Sequence, residues 1–183
     1  FQVRRARFDE LLLEAATRCG ARVVQPAHVR DVSFGDDRAL CEIEQGGEQL
    51  RVTARFVVDA SGQAGFLGKR YDLREFNENL RNVAVHGHFC GVHWDSSIPR
   101  GDIQVVSRRD LGWVWMIPLQ DDLTSIGVVL PSSRANSVKG VRSEQGLLEV
   151  LHGSPVVARQ TEGAELIGPV RRDADYSYRC SRY

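Results

Sequence analysis

The sequence lacks a surplus of either charge. Its 183 residues contain 24 Lys and Arg and 24 Asp and Glu, so the formal net charge is +0. A balanced chain has no overall attraction to nucleic acid or to an anionic membrane. It also lacks any apolar run near the roughly 18 residues that span a bilayer. We therefore predict neither a nucleic-acid partner nor a membrane partner, and no apolar leader of the secretory type is visible.

Cysteine is scarce and scattered. The four cysteines are far apart and form no CxxC pair, which argues against a zinc or thioredoxin-like site. Sparse thiols of this kind are typical of a reducing cytoplasm, where we place the protein. His86, His88 and His93 lie close together in sequence, but no Cys or carboxylate follows at a helpful spacing. We predict no metal site and interpret them as ordinary strand histidines.

Methionine occurs once, at Met116, and residue 1 is Phe. The last residues fall inside an alternating pattern that is typical of a strand. Both features predict that the chain is an internal fragment of a longer polypeptide, and we expect the fragment alone to be inactive.

Residues 1–78 are predicted to form part of a nucleotide-binding α/β region. Apolar residues from Phe8 to Cys19 recur at helical spacing, and Gly20 stands where a helix commonly ends. A short strand over 22–25 and a meander of three alternating strands over 29–52 follow. Residues 56–58, Phe-Val-Val, are a continuous apolar run, as expected of a strand buried on both faces of a parallel sheet. Residues 64–70 are predicted to be helical.

Residues 79–183 are predicted to form an antiparallel, substrate-side sheet with short helices. Short strand patterns that recur without long helices between them favour this arrangement. The predicted strands are 83–94, 102–107, 111–118, 124–130, 166–170 and 176–180, and the predicted helices are 146–151 and 156–160. The fold class is therefore mixed α/β, with part of a Rossmann-like layer and an antiparallel sheet.

The run Asp59, Ala60, Ser61 and Gly62 follows the apolar residues 56–58. In open α/β sheets, ligands bind at the carboxyl ends of the strands. Small side chains there let a ligand approach the backbone amides. An ordinary turn after a strand remains the alternative, because apolar strands often end in Asp and Gly.

Residues 112–118, Gly-Trp-Val-Trp-Met-Ile-Pro, concentrate aromatic side chains. On a strand, Trp113 and Trp115 share one face while Val114 and Met116 share the other. Two adjacent indoles make a rigid, mostly apolar wall, and Pro118 ends the ladder pairing. Core packing of two tryptophans explains the pattern equally well.

As a string, Trp113, Trp115, Ile117 and Pro118 resemble the second signature of flavin-dependent halogenases. The helix start over residues 3–12 and the Asp-Ala-Ser-Gly run resemble the FAD-binding region of p-hydroxybenzoate-hydroxylase-like flavoproteins. Residues 82–85, 127–131 and 175–178 extend the similarity toward natural-product halogenases that act on carrier-bound, phenolic or pyrrolic substrates. The resemblance implies a set of cofactor-binding residues, namely Arg5, Val29, Asp59, Ala60, Ser61 and Gly62.

The resemblance also implies an activity. Such an enzyme uses reduced FAD, O2 and chloride or bromide to halogenate an electron-rich small molecule, free or on an acyl or peptidyl carrier protein. A flavin reductase supplies the reduced flavin. The two-tryptophan segment is expected to separate the flavin from the organic substrate, so that halide is oxidised instead. Neither Lys69 nor Lys139 matches the motif of the family's catalytic lysine, which is therefore expected outside this chain.

Two alternatives remain open from the sequence. A flavin monooxygenase or a geranylgeranyl-reductase-like oxidoreductase would use the same fold, since a fold does not determine a reaction. A non-enzymatic binding module is the other. A halide requirement separates the halogenase from the oxidoreductases, and flavin absorbance separates all of these enzymes from the binding module.

Overall fold

A computed structural model describes residues 2–99, 101–109, 112–119, 122–135, 143–175 and 177–181. In these ranges the helices are α1 (Arg5–Arg18), α2 (Phe66–Arg70), α3 (Ser132–Ala135), α4 (Glu144–His152) and α5 (Pro155–Gln160). The strands are β1 (His28–Phe34), β2 (Ala39–Gln45), β3 (Glu48–Ala54), β4 (Arg74–Phe76), β5 (Asn82–Cys90), β6 (Gln104–Arg108), β7 (Gly112–Pro118), β8 (Thr124–Pro131), β9 (Glu165–Ala174) and β10 (Tyr178–Cys180). The mixed α/β class with antiparallel sheets is confirmed.

The chain divides into two compact units. Unit 1 contains Phe1–Phe8 and Asn77–Ser177, and unit 2 contains Asp9–Phe76 and Tyr178–Tyr183. The division at residues 78 and 79 that the sequence suggests stays a prediction about the domains of the protein.

The predicted meander of unit 2 is confirmed. Strands β1, β2 and β3 form an antiparallel sheet in that order, with Ile43 opposite both Val29 and Leu50. Its buried side chains include Val32 and Ala39, which expose 2% and 3% of their surface. A second, two-stranded sheet pairs β4 with β10. The sequence analysis missed β4, since three residues are too short to show a period.

Two predicted strands are wrong. Residues 22–25 and 56–58 have no strand structure, and Phe56 and Val58 are 84% and 87% exposed. Apolar and β-branched residues favour a strand only when a neighbouring backbone completes the hydrogen-bond ladder. In the part of the chain that the structure describes, no strand pairs with either segment, so composition alone does not extend them into a sheet.

The predicted first helix is confirmed, and α1 starts three residues earlier than its apolar pattern indicated. Gly20 has φ of +96°, the left-handed conformation that ends many helices. The apolar stripe is not buried: Phe8 and Leu12 are 43% and 54% exposed. Among the described segments, no helix is long and apolar enough to cross a membrane.

Unit 1 is built on a five-stranded antiparallel sheet in the order β6-β7-β8-β5-β9. One face of this sheet packs with α4 and α5 into the main core. Its fully buried members include Val85, Phe89, Val128, Leu147, Leu151 and Val157. Along β5, buried and half-buried residues alternate without exception. One face of the sheet is therefore sealed by the core, while the side chains of the other face stay partly accessible.

Candidate functional site

Trp113 and Trp115 share one face of the sheet, as predicted, and the structure shows that this face is the accessible one. Val114 and Met116 are fully buried in the core, whereas Trp113 is 40% exposed. Trp115 is half-buried, and its ring centroid lies 5.8 Å from that of Trp113. The pair forms a continuous aromatic wall on β7. Ile117 and Pro118 complete β7, and Pro118 pairs with Thr124 at its end.

The indole of Trp115 is held in one orientation by strand β8. Its Nε1 donates a hydrogen bond to Ser125 Oγ at 3.2 Å. The ring also crosses directly over Gly127, where a Cβ atom would lie 2.3 Å from the indole. Since real Cβ contacts do not come so close, a side chain at this position would have to displace the ring.

A histidine and an aspartate complete this face. His86 Nε2 lies 2.9 Å from Asp173 Oδ2, and the His86 ring centroid lies 5.6 Å from that of Trp115. The sequence analysis named His86 but missed Asp173, because 87 residues separate them. Only the pairing of β5 with β9 reveals the contact. In the ranges that the structure describes, no group of three His, Cys, Asp or Glu side chains is placed to hold a metal ion.

His88 shares this face, and we expect its replacement to change the pH dependence of stability. Burial lowers the pKa of His88 below 6.5, and electrostatic interactions with His86, Arg171 and Arg4 lower it further. As the pH falls below 6.5, His88 therefore binds a proton more readily in the unfolded chain than in the folded chain. The free energy of unfolding decreases as a result. His88→Gln should remove this loss. Urea unfolding of the full-length protein and of the variant at several pH values measures the free energy of unfolding. If this free energy falls as steeply with decreasing pH in the variant as in the unmodified protein, the assignment is contradicted.

In unit 2, Asp59 organises the loop of small residues. Its Oδ1 accepts a hydrogen bond from the Ser61 amide at 2.9 Å, and its Oδ2 accepts one from the Leu67 amide at 2.8 Å. Ser61 Oγ in turn accepts a hydrogen bond from the Phe66 amide at 2.9 Å. Burial alone would raise the pKa of Asp59, but the bonds from Ser61 and Leu67 hold its pKa below the ordinary value. The carboxylate therefore ties the loop to the start of α2.

This loop forms one wall of a pocket of about 480 Å³. Most of the other lining side chains are apolar and come from the meander and α2. The pocket is lined by Ala27, His28, Val29, Val32, Cys41, Ile43, Val52, Val57, Val58, Asp59, Ala60, Ser61, Ala64, Phe66 and Leu67. Apolar walls with a few backbone polar groups suit a flat heteroaromatic ring. The size and the apolar lining of the pocket are therefore compatible with the adenine ring of the FAD that the sequence resemblance implies.

Of the six residues predicted to bind the cofactor, four line this pocket: Val29, Asp59, Ala60 and Ser61. Gly62, with φ of +58°, begins the short 3-10 turn that follows, and it is not a lining residue. Arg5 is the first residue of α1 and is exposed.

The sequence analysis missed Val32, Cys41 and Ile43, which also line the pocket. Val29 and Val32 both line it although they are three residues apart, because a β-bulge interrupts the pairing between Val29 and Asp31. A bulge adds one residue to a strand and changes which side chains share a face. Cys41 and Ile43 are two residues apart on β2, as side chains on the same face of a strand ordinarily are. This alternation could have identified both residues from the sequence.

Comparison of the fold with solved structures defines the class of protein. The crystal structure of CmlS, a flavin-dependent halogenase, has a TM-score of 0.87 and 33% identity, covering 98% of this chain and 33% of that one. The myxobacterial chondrochloren halogenase CndH has a TM-score of 0.88 and 33% identity, covering 97% of this chain and 42% of that one. The fold is that of the FAD-dependent halogenases.

The chain belongs to the tryptophan halogenase family, whose pattern matches residues 1–160. A 1H-pyrrole-2-carbonyl-[peptidyl-carrier protein] chlorinase of Pseudomonas fluorescens is 30% identical over 97% of this chain and 41% of its own length. The flavin-dependent halogenase gsfI of Penicillium aethiopicum is 30% identical over 100% of this chain and 39% of its own length. The chain therefore spans about two fifths of the length of these relatives. The predicted resemblance to flavin-dependent halogenases is confirmed.

Proposed function

We propose that the full-length protein is a FADH2-dependent halogenase of secondary metabolism. It chlorinates or brominates an electron-rich carbon of a small molecule, free or carried on an acyl or peptidyl carrier protein. The observation that carries this proposal is the aromatic wall of Trp113 and Trp115 on the accessible face of the sheet. Two indoles on an outward face, rather than in the core, suit a wall that lines a path for reactants.

Bound FAD would supply oxidising power from O2, and halide would be the group that is oxidised. The chain's own residues would bind and orient the cofactor and exclude water from the site. Asp59, Ala60 and Ser61 would hold the adenine side of the cofactor together with Val29, and Gly62 would leave the backbone open next to them. Arg5 would pair with a phosphate.

Trp113 and Trp115, followed by Ile117 and Pro118, would exclude water and keep the organic substrate away from the flavin. Hypohalous acid would be lost to water in an open site, so a dry apolar wall favours transfer of halogen to carbon. The catalytic lysine would be supplied by a part of the protein outside this chain.

The partners follow from this chemistry. A flavin reductase would deliver the reduced cofactor in the cytoplasm. The relative from Pseudomonas fluorescens is named for a pyrrole held on a peptidyl carrier protein, which supports a carrier-bound substrate. A free phenol or pyrrole is the alternative. Incubation of carrier-bound and free forms of the same pyrrole with the full-length enzyme would decide between them.

A halide requirement is the expected result that tests the proposal. The full-length protein, reduced FAD from an added reductase, and O2 are incubated with phenol or with pyrrole-2-carboxylate, with and without bromide or chloride. Mass spectrometry should detect a halogenated product only when halide is present. Hydroxylation at the same rate without halide would show a monooxygenase instead, and absence of flavin absorbance in the purified full-length protein would favour a binding module.

A Trp115→Ala variant tests the wall itself. We expect about a tenfold lower yield of halogenated product per flavin oxidised, because water and substrate gain access to the oxidant. The control is Leu50→Ala on β3, where the truncated side chain is 40% exposed and is not part of the wall. Equal coupling of flavin oxidation to halogenation in both variants would contradict the role of the wall.

A further inference from the structure

The accessible face of the five-stranded sheet brings a histidine and the aromatic wall together by strand register. Trp115 on β7 and His86 on β5 both lie opposite Gly127 on β8. Arg171 on β9 lies opposite His86, and Asp173 follows two residues later on the same strand. Because Gly127 has no side chain, the indole and the imidazole meet above it. Chain segments far apart in sequence thus meet in one row across four strands.

Among the described residues, the imidazole of His86 has one hydrogen-bond partner. Its Nε2 lies 2.9 Å from Asp173 Oδ2, and a carboxylate in that position accepts the Nε2–H bond. This hydrogen bond selects the tautomer that leaves the lone pair on Nδ1 free. Within the part of the chain that the structure describes, no hydrogen bond engages Nδ1. The His86 side chain is 18% exposed, so it is largely shielded from water but still accessible.

We propose that His86, oriented by Asp173, is the general base that removes the ring proton during halogenation. This inference rests on the proposed function, and the oxidant in the step is hypohalous acid. The substrate carbon forms its bond to halogen while the oxygen–halogen bond breaks and releases hydroxide. The C–H bond at that carbon then breaks, its electron pair returns to the aromatic ring, and Nδ1 takes the proton. Transfer of this proton to the hydroxide gives water and restores neutral imidazole.

The neighbouring groups suit this role. The indole of Trp115, 5.6 Å from the His86 ring, offers an apolar surface on which an electron-rich ring can lie beside Nδ1. The other charged or titratable groups around His86 on this face are His88 on β5 and Arg171 and Asp173 on β9, with Arg4 adding positive charge near His88. Of these, only Asp173 is negative, and it orients His86 and stabilises the imidazolium that forms.

His88 provides a matched control. It lies on the same strand and the same face, two residues from His86, but no described carboxylate accepts a hydrogen bond from it. In the full-length enzyme with reduced FAD, bromide and phenol, we expect His86→Gln to lower kcat about 100-fold, as loss of a general base does, with KM within about threefold. Asp173→Asn should lower kcat about tenfold or more, and His88→Gln should change it less than about twofold.

Chemical rescue separates a base from a structural contact. In His86→Ala, added imidazoles should restore kcat, and the restored rate should rise with the basicity of the imidazole added. A purely structural cavity would be filled equally well by imidazoles of the same size, so rescue that is independent of basicity would overturn the proposal. A His86→Gln variant with wild-type kcat would overturn it as well.

A measurement without substrate tests the same assignment. Nitrogen-15 NMR of histidine-labelled full-length protein should show that the neutral His86 ring carries its proton on Nε2 and not on Nδ1, and Asp173→Asn should redistribute the two tautomers. A proton on Nδ1 in the unmodified protein would overturn the proposal even if phenol is not turned over. If the unmodified enzyme shows no halide-dependent product with any tested substrate, the proposed function fails. If it halogenates normally and His86→Gln does too, only the base assignment fails.

Discussion

Replacement of Gly127 by valine is expected to destabilise the full-length protein by about 3 kcal/mol, at the upper end of what overpacking costs. A Cβ at this position would lie 2.3 Å from the Trp115 indole and 2.6 Å from His86 Cβ. Neither neighbour can give way easily, since the indole is bonded to Ser125 and the backbone of β8 is paired on both sides. Urea unfolding measures the loss of stability.

Ser125→Ala is the control for this prediction. It removes the hydrogen-bond partner of Trp115 Nε1 without adding volume, so we expect a loss of about 1 kcal/mol. The comparison separates crowding from a missing hydrogen bond. Equal stability of Gly127→Val and the unmodified protein would mean that the indole does not occupy the space above the glycine.

Replacement of Asp59 by alanine is expected to weaken FAD binding by the full-length protein about 30-fold, or about 2 kcal/mol. The change leaves the amides of Ser61 and Leu67 without their carboxylate partner. The loop that lines the 480 Å³ pocket would then no longer be held in a single conformation in the absence of the cofactor. Binding a cofactor to a loop that must first be ordered reduces affinity, even if every direct contact is kept.

Fluorescence titration with oxidised FAD measures this affinity. Asp37→Ala, an exposed position in the turn between β1 and β2, provides a control of the same charge change. We expect the control to bind FAD with the affinity of the unmodified protein. If both variants bind FAD equally well, the loop of Asp59 does not contribute to the cofactor site.

Local periodicity predicted much of the fold because strands β5 and β7 each have one buried and one accessible face. Alternation over residues 112–118 correctly placed Val114 and Met116 on one face and both tryptophans on the other, but only the structure shows that the first face is the buried one. The meander of unit 2 was predictable for a similar reason, since turn residues separate its alternating strands. Residues 56–58 show the limit of this reasoning: their apolar composition indicated a strand, but a strand depends on a neighbouring backbone that composition does not describe.

The site depended on the sequence and on the tertiary structure in different ways. The sequence by itself determined the aromatic face of β7 and the small residues that follow Asp59, because both are local patterns of side-chain size and alternation. Only the tertiary structure decided that Trp115 lies over Gly127, that His86 meets Asp173, and that a bulge turns Val29 and Val32 toward one pocket. Those contacts depend on the register between strands. Register is set by the packing of the whole sheet and cannot be read from any single segment.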